Sequence, residues 1–268
     1  MSSETPTPDA RARRVWSLGS YPDVAPTFLG MAARLVESVG PIADDTVLDV
    51  GCGTGNVAIT AARRGARATG LDIVPAMLEE ARTNARIAGV EGIDWREGSA
   101  TALPFAADAF DVTLSCLGHM FAEPPDAACR ELLRVTRSGG RIAFTSWTPE
   151  GPVPAMGAVL ADYLPTEPDP SPPPFLWGDA DVVRERLGDG VTDLRFEQGT
   201  VRTPVLSPAH YWEKATTESG MFIAALEVVD PADLPALREA MLETIEGFFE
   251  DDRNAVPMPY LRTTARVA

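Results

Sequence analysis

The sequence predicts a doubly wound α/β fold, a parallel sheet with helices on both faces. Three observations predict it. Strand-length apolar runs alternate with amphipathic stretches of helical period through the first 150 residues. The first run, "TVLDV" at 46–50, passes into "GCGTGN", where Gly51, Gly53 and Gly55 fall within five positions. Each later run is again separated from the next by a helix-length segment, so successive strands join by right-handed crossovers and the helices cover both faces.

The elements follow in order. "MSSETPTPDARARRVW" is polar and proline-bearing; Arg13 and Arg14 suggest a twin-arginine signal, but no apolar segment follows them, and the export reading is rejected. Residues 46–50 form the first buried strand. "NVAITAARRG" (56–65) reads as a helix stopped by Gly65, and "ARATGLDI" (66–73) as the second strand. "PAMLEEARTNARIAG" (75–89) has Pro75 at a helix start and Gly89 as its stop. "IDWREG" (93–98) and "AFDVTLSCL" (109–117) are strands three and four. "DAACRELLRVTRSGG" (126–140) reads as a helix running to its glycine pair, and "RIAFTSW" (141–147) as strand five. Beyond residue 148 the character changes. Six prolines between Leu164 and Phe175 exclude regular helix or central strand and predict a stiff extended loop. The segment 151–180 is expected to be a mobile lid. "DADVVRERLG" (179–188) resumes as helix, 191–205 as a strand bent at Gly199, and two helical stretches cover about 208–229 and 232–250. "PYLRTTARVA" (259–268) alternates as a closing strand.

Composition narrows the function. The chain has 268 residues and 45% hydrophobic content, enough for a sizeable core. No apolar run approaches the ~20 residues of a membrane-spanning helix. Cys52, Cys116 and Cys129 have no metal-ligand spacing and make no even disulfide set, which reads as a reduced, cytoplasmic protein. Formal net charge is −16 and Lys214 is the only lysine. A protein that grips phosphate backbones needs a basic face, so a nucleic-acid substrate is disfavoured.

The glycine turn after strand one lets a ligand touch bare backbone, and the helix that follows offers free N–H groups to an anion. A dinucleotide turn wants G-x-G-x-x-G; here the third glycine comes one place early and Asn56 takes its slot. Asp49 just before the turn would repel a pyrophosphate and attract an ammonium. Asp72 ends strand two, where an acid accepts from ribose hydroxyls. The set asks for a zwitterion joined to a nucleoside, a description that S-adenosylmethionine meets.

"VLDVGCGTGN", "GLDI", "ALPFAADAFDVTLS" and "ELLRVTRSGGRIAFTSW", in that order, resemble the class I S-adenosylmethionine-dependent methyltransferases. The likeness covers about residues 15–150 and is greatest to the small-molecule branch, similar to the ubiquinone/menaquinone methyltransferases. The resemblance implies one methyltransferase domain over 1–268 with a Rossmann-like, seven-stranded, mostly parallel sheet whose last strand, 259–268, is antiparallel. Residues 15–150 would form the cofactor core, and 151–190 with 205–255 a helical substrate cap. It implies that Asp49, Gly51, Cys52 and Gly53 line the methionine end, with Tyr21 as a lid, while Asp72 holds the ribose and Ile73 and Met77 pack on the adenine. Family members often carry an acid where this chain has Ser99, reaching the adenine amine; Ala100 would offer its N–H to the ring. Ser115 and Cys116 would face the reactive sulfonium. Cys52 and Cys116 also read as small buried hydrophobes.

Methyl transfer from a sulfonium is an in-line displacement that depends on positioning and exclusion of water. No metal is called for. His119, in "SCLGHMF", is the candidate base if the acceptor must lose a proton, against a structural reading as a packed histidine. Trp147, Phe175, Trp177, Tyr211, Trp212, Phe222, Phe248 and Phe249 give the second half an aromatic bias, read either as core or as an apolar pocket for a small-molecule acceptor. Two other functions stay open: a nicotinamide-dependent oxidoreductase and a non-catalytic S-adenosylmethionine-binding protein.

Overall fold

The apolar runs become a single seven-stranded sheet in the computed structural model, which describes residues 6–40, 42–165 and 171–268. The chain enters through α1 (Pro8–Trp16), α2 (Tyr21–Val24) and α3 (Leu29–Ser38). It then alternates β1 (Thr46–Val50), α4 (Asn56–Arg63), β2 (Arg67–Asp72), α5 (Pro75–Ile87), β3 (Asp94–Glu97), β4 (Phe110–Cys116), α6 (Pro125–Val135) and β5 (Thr136–Trp147). Helices α7 (Pro152–Ala161) and α8 (Ala180–Leu187) lead to β6 (Val191–Pro204). Helices α9 (Pro208–Glu218), α10 (Gly220–Leu226) and α11 (Leu234–Glu246) lead to β7 (Ala255–Val267).

The strand order is β3-β2-β1-β4-β5-β7-β6. β1 to β5 pair in parallel, and the last strand, β7, runs antiparallel between β5 and β6. Period-two alternation sorts the core. Val47 of β1 joins Leu35, Val57 and Ala61 on the face covered by α3 and α4. Leu48 and Val50 join Leu132 and Val135 of α6 on the other face. A third, larger cluster packs Trp212, Leu237, Met241 and Ile245 of the later helices against Phe144, Trp147, Met258 and Tyr260 of the β5–β7 half.

Several expected boundaries move. The helix read over 126–140 stops at Val135, because buried, β-branched Thr136 already pairs with Phe110 and starts β5; its hydroxyl donates to the Leu132 carbonyl at 2.7 Å. The β6 irregularity lies between Thr192 and Arg195, where Asp193 has φ +52°, and not at Gly199. Gly199 instead leaves room for the Tyr260 ring: a Cβ there would lie 2.3 Å from Tyr260 Cζ. The closing strand begins at Ala255, four residues earlier than read. The 208–229 helix is two, broken at Ser219, whose N–H still bonds the Ala215 carbonyl. Within 151–180, residues 152–161 are helical, with Pro152 in the first turn where no N–H is missed. A short 3-10 turn at Pro174–Gly178 plugs Trp177 into the core, and part of the proline run, residues 166–170, lies outside the described residues.

Candidate cofactor and active site

The strand order reverses between β1 and β4, and their C-terminal ends meet there. Gly51 follows β1 with φ +66°, and a Cβ on it would lie 2.7 Å from Gly118 Cα in the loop after β4. Gly53, at φ +51°, faces the ring of Tyr21, 3.1 Å from where its Cβ would stand. Both positions therefore require glycine for the backbone bend and for the close approach. Gly55 serves packing: its Cβ would strike the Trp95 ring at 2.9 Å.

The turn is tied to β2 by main-chain and carboxylate bonds. Cys52 N donates to the Leu71 carbonyl at 2.9 Å. Asp72 Oδ2 accepts the Gly53 N–H at 2.8 Å, and its Oδ1 accepts the Val74 N–H at 2.9 Å. Burial raises the Asp72 pKa against the lowering effect of these N–H groups. Each carboxylate oxygen keeps a further lone pair for a diol.

Asp49 is 1% exposed. Its Oδ2 accepts the Ala58 N–H at 3.0 Å, while Oδ1 has no hydrogen-bond partner. Burial, with the charge of Asp72 behind it, pushes its carboxyl up to about 7. A cation brought near this carboxylate would relieve that cost.

A cavity of about 490 Å³ opens from this turn. Of the residues expected from sequence, Tyr21, Gly51, Gly53, Asp72, Ile73, Met77, Ser99, Ala100 and Cys116 line it. Asp49, Cys52, Ser115 and His119 do not line it; they stand behind the wall. Ser115 is a strut: its Oγ donates to the Val50 carbonyl at 2.6 Å and accepts the His119 N–H at 2.9 Å. Burial pushes the Cys116 thiol up to about 12 and the Cys52 thiol well above its usual range, so neither offers a thiolate.

His119 departs most from the expected role. It is fully buried, its ring centroid 4.4 Å from that of Phe144 and 4.8 Å from that of Trp177. Its Nδ1 has no partner, and its Nε2 lies 3.4 Å from Ser146 Oγ. Burial, then the charge of Arg186, pushes its pKa down to about 3. The structure brings it to the core and not to the cavity, because the 3-10 turn at 119–121 points the ring under β5.

Sequence reading missed the wall that α1 makes. Pro8, Asp9 and Trp16 of α1 close one side. Of the aromatic residues read as core or pocket, Trp147, Phe175, Tyr211 and Phe222 line an apolar far end with Met156 and Met258, while Trp177, Trp212, Phe248 and Phe249 belong to the core; Lys214 and Glu218 pair at that end at 2.7 Å. The signal for α1 was present: Thr7 caps it by accepting the Ala10 N–H at 3.2 Å, ahead of Pro8 and Asp9.

The pieces fit an adenosyl group linked to an amino acid. Asp72 suits the diol, Ile73 and Met77 supply an apolar face, and the two glycines let the turn pack against Gly118 and the Tyr21 ring at the cavity mouth. Fold and site together define a nucleoside-binding α/β enzyme of the methyltransferase kind. Residues 48–144 match the family model described as a methyltransferase domain. The uncharacterized protein Rv1403c of Mycobacterium tuberculosis is 40% identical over 201 residues, 75% of this chain and 73% of that one. The ubiquinone/menaquinone biosynthesis C-methyltransferase UbiE of Roseobacter denitrificans is 36% identical over 125 residues, 46% of this chain and 50% of the relative. Among solved structures, the geranyl diphosphate C-methyltransferase of Streptomyces coelicolor, in complex with Mg²⁺, geranyl diphosphate and S-adenosylhomocysteine, superposes with a TM-score of 0.52 at 19% identity, over 89% of this chain and 79% of that one. The chain belongs to the class I S-adenosylmethionine-dependent methyltransferases, whose cofactor is S-adenosylmethionine.

Proposed function

We propose that this methyltransferase acts on a small, largely apolar or aromatic molecule by in-line methyl transfer. The observation that carries the reading is the continuity of one cavity. The same 490 Å³ space begins at Gly51, Asp72 and Ser99 and ends against Trp147, Met156, Phe175, Tyr211 and Phe222. Bound there, the cofactor supplies an electrophilic methyl group. The chain's own residues hold and shield. Asp72 and the Ile73–Met77 edge would seat the nucleoside, and the Gly51–Gly53 backbone the amino-acid end. Segments 151–190 and 205–255 would form the acceptor's cap, with α7, α9 and α10 excluding water from the far end.

Within that apolar end Lys214 and Glu218 are the charged pair, and they would orient a polar group of the acceptor. A cavity with no described imidazole on its wall suits an acceptor that needs positioning more than a base. The net charge of −16 and the absence of arginine from the described lining argue against a nucleic-acid acceptor. Three free thiols, and no helix among the described residues long and apolar enough to cross a membrane, support a cytoplasmic enzyme.

The test is methyl transfer from labelled S-adenosylmethionine to a panel of apolar phenols, quinols and prenylated alcohols, beside tRNA and bulk protein. Label in the organic-soluble fraction is expected. Label confined to tRNA or protein would overturn the small-molecule reading.

A further inference from the structure

The N-terminal helix places an acid at the nucleoside end of the cavity. Asp9, in the first turn of α1, lines the cavity with Ser99 and Ala100. Ser99 Oγ donates to Asp9 Oδ1 at 2.9 Å. The same oxygen accepts the Thr101 N–H at 3.3 Å and lies 2.9 Å from Thr101 Oγ1. A hydroxyl has one proton and two lone pairs, so Ser99 is engaged within the protein and is poorly free to meet a base itself. A carboxylate has about four acceptor positions, and the Ser99 bond uses one of Asp9's.

We propose that Asp9 reads the exocyclic 6-amino group of the cofactor's adenine, with Ser99 as the positioning residue that aims it. The assignment rests on the reading that places adenine against Ile73, Met77 and Ala100. It explains how the site does without an acid at position 99: the acid comes from a separate element ninety residues away in sequence.

It also gives a purpose to the arginines of "RARR", which the cofactor core does not use. Arg11 pairs with Glu123 at 2.7 Å, Arg13 with Glu97, and Arg14 with Glu227. These acids lie after β4, on β3 and just past α10, so about one turn of α1, from Arg11 to Arg14, is fastened to three separate parts of the fold. α1 has no buried residue of its own; Trp16 adds an edge contact to Phe121 at 4.9 Å between centroids. Three part-exposed charge pairs and the Trp16 edge contact together hold α1 and Asp9 in place, with no fully buried side chain of α1. An amino group donates to a carboxylate, whereas a 6-oxo group presents lone pairs to it and is rejected.

The test compares S-adenosylhomocysteine with S-inosylhomocysteine by calorimetric titration, with circular dichroism melts to confirm that each variant is folded. Wild type should prefer the adenosyl ligand by about tenfold or more, the worth of a bond to a charged acceptor. Asp9→Ala should lose about tenfold for the adenosyl ligand and little for the inosyl one, so the preference collapses. Asp9→Asn should reverse part of it, since its amide can donate to the 6-oxo group. Ser99→Ala should weaken the preference without abolishing it. Asp72→Ala should weaken both ligands by the same factor. An Asp9→Ala protein that binds both ligands more weakly in equal measure, or neither more weakly, overturns the assignment while Asp72→Ala still reports the ribose contact. If Asp72→Ala also leaves both affinities unchanged, the placement of the nucleoside beneath it falls instead.

Discussion

Asp49→Asn isolates the most unusual electrostatic feature of the site. In the fold the carboxyl of Asp49 is pushed from its ordinary 3.8 to about 7, first by burial and then by the charge of Asp72, against one backbone N–H from Ala58. The sign follows from linkage. A folded pKa above the unfolded one means that the native state holds its proton longer, so the contribution is complete below about pH 4 and is lost as pH rises to about 7. At about 1.36 kcal/mol per pH unit between the two values, the ceiling is about 4 kcal/mol. Water entry and relaxation reduce it, so a measured difference of about 2 kcal/mol would satisfy the argument.

Asparagine keeps an oxygen for the Ala58 N–H and cannot ionise. Any cost of burying its amide is constant with pH and drops out of the comparison. Urea unfolding at intervals from pH 4.5 to 8 should show the variant gaining on wild type as pH rises, with the gap levelling off above about 7. A ligand ammonium in the cavity would reach Asp49 only across the wall it stands behind, and would still favour its ionised form. Affinity for S-adenosylhomocysteine should therefore climb with pH up to about 7 in wild type and stay flat in the variant. Parallel unfolding curves would refute the buried-charge argument. A pH-independent affinity in wild type would refute the placement of the amine.

His119→Phe should leave methyl transfer within about tenfold of wild type and add no pH limb near 6–7, because the ring is in the core; a loss of about 10²-fold or more would restore the base reading. Its stability signature has the opposite sign to that of Asp49. A histidine whose pKa falls to about 3 contributes fully above its unfolded 6.5 and loses that contribution as pH falls toward 3, so the acid-side slope should flatten in His119→Phe melts. Asp72→Ala should weaken S-adenosylhomocysteine by about 5- to 150-fold, with Asp72→Asn milder because it keeps one acceptor; an unchanged dissociation constant would remove the ribose assignment. Trp177→Ala, at a side chain 1% exposed, should cost about 3–5 kcal/mol in urea unfolding; a loss under 1 kcal/mol would show that the 174–178 turn is not anchored by it.

The glycine turn and the Asp72 carboxylate beside it were legible because their parts are local. β1 supplies Asp49 and the turn, β2 ends at Asp72, and the bonds that join them, Gly53 N–H and Val74 N–H to one carboxylate, connect residues next to each strand end. The four motifs and the alternation of the closing strand were readable for the same reason, each being a contiguous pattern; the antiparallel sense of that strand was implied only by the resemblance. Where reading failed, the deciding contact was distant. Nothing near His119 in sequence announces Trp177 or Arg186, and these two, with Phe144, turn a candidate base into a core residue. Thr136 looked like the last turn of a helix, yet its pairing with Phe110 made it a strand. α1 was the exception: "TPD" is a local capping signal, with proline in the first turn where it marks a helix start, yet the segment was read only as polar and proline-bearing.

If the apolar far end takes the acceptor, as proposed, cofactor and acceptor recognition are separable in this chain. The wall of that end is assembled from single residues on many elements: Trp147 ends β5, Met156 sits on α7, Phe175 on the 3-10 turn, Tyr211 on α9, Phe222 on α10 and Met258 on β7. No two are nearer than nine residues in sequence, so no motif describes them and each can change with little effect on Gly51, Asp72 or Ser99. Tyr211→Ala and Phe222→Ala should therefore shift acceptor KM or acceptor choice while S-adenosylhomocysteine affinity stays within about threefold, the additivity expected of sites without shared partners. Tyr21 is the place where this separation should break. Its ring closes on Gly53 from the cofactor side and, with Trp16 edge-on at 6.0 Å, belongs to the same wall that α9 continues. Tyr21→Ala should weaken cofactor and acceptor together, measured as a fall in both S-adenosylhomocysteine affinity and kcat/KM. A loss confined to one of the two would show that the residue serves a single end of the cavity and that the two halves of the site are closed by different parts of the N-terminal segment.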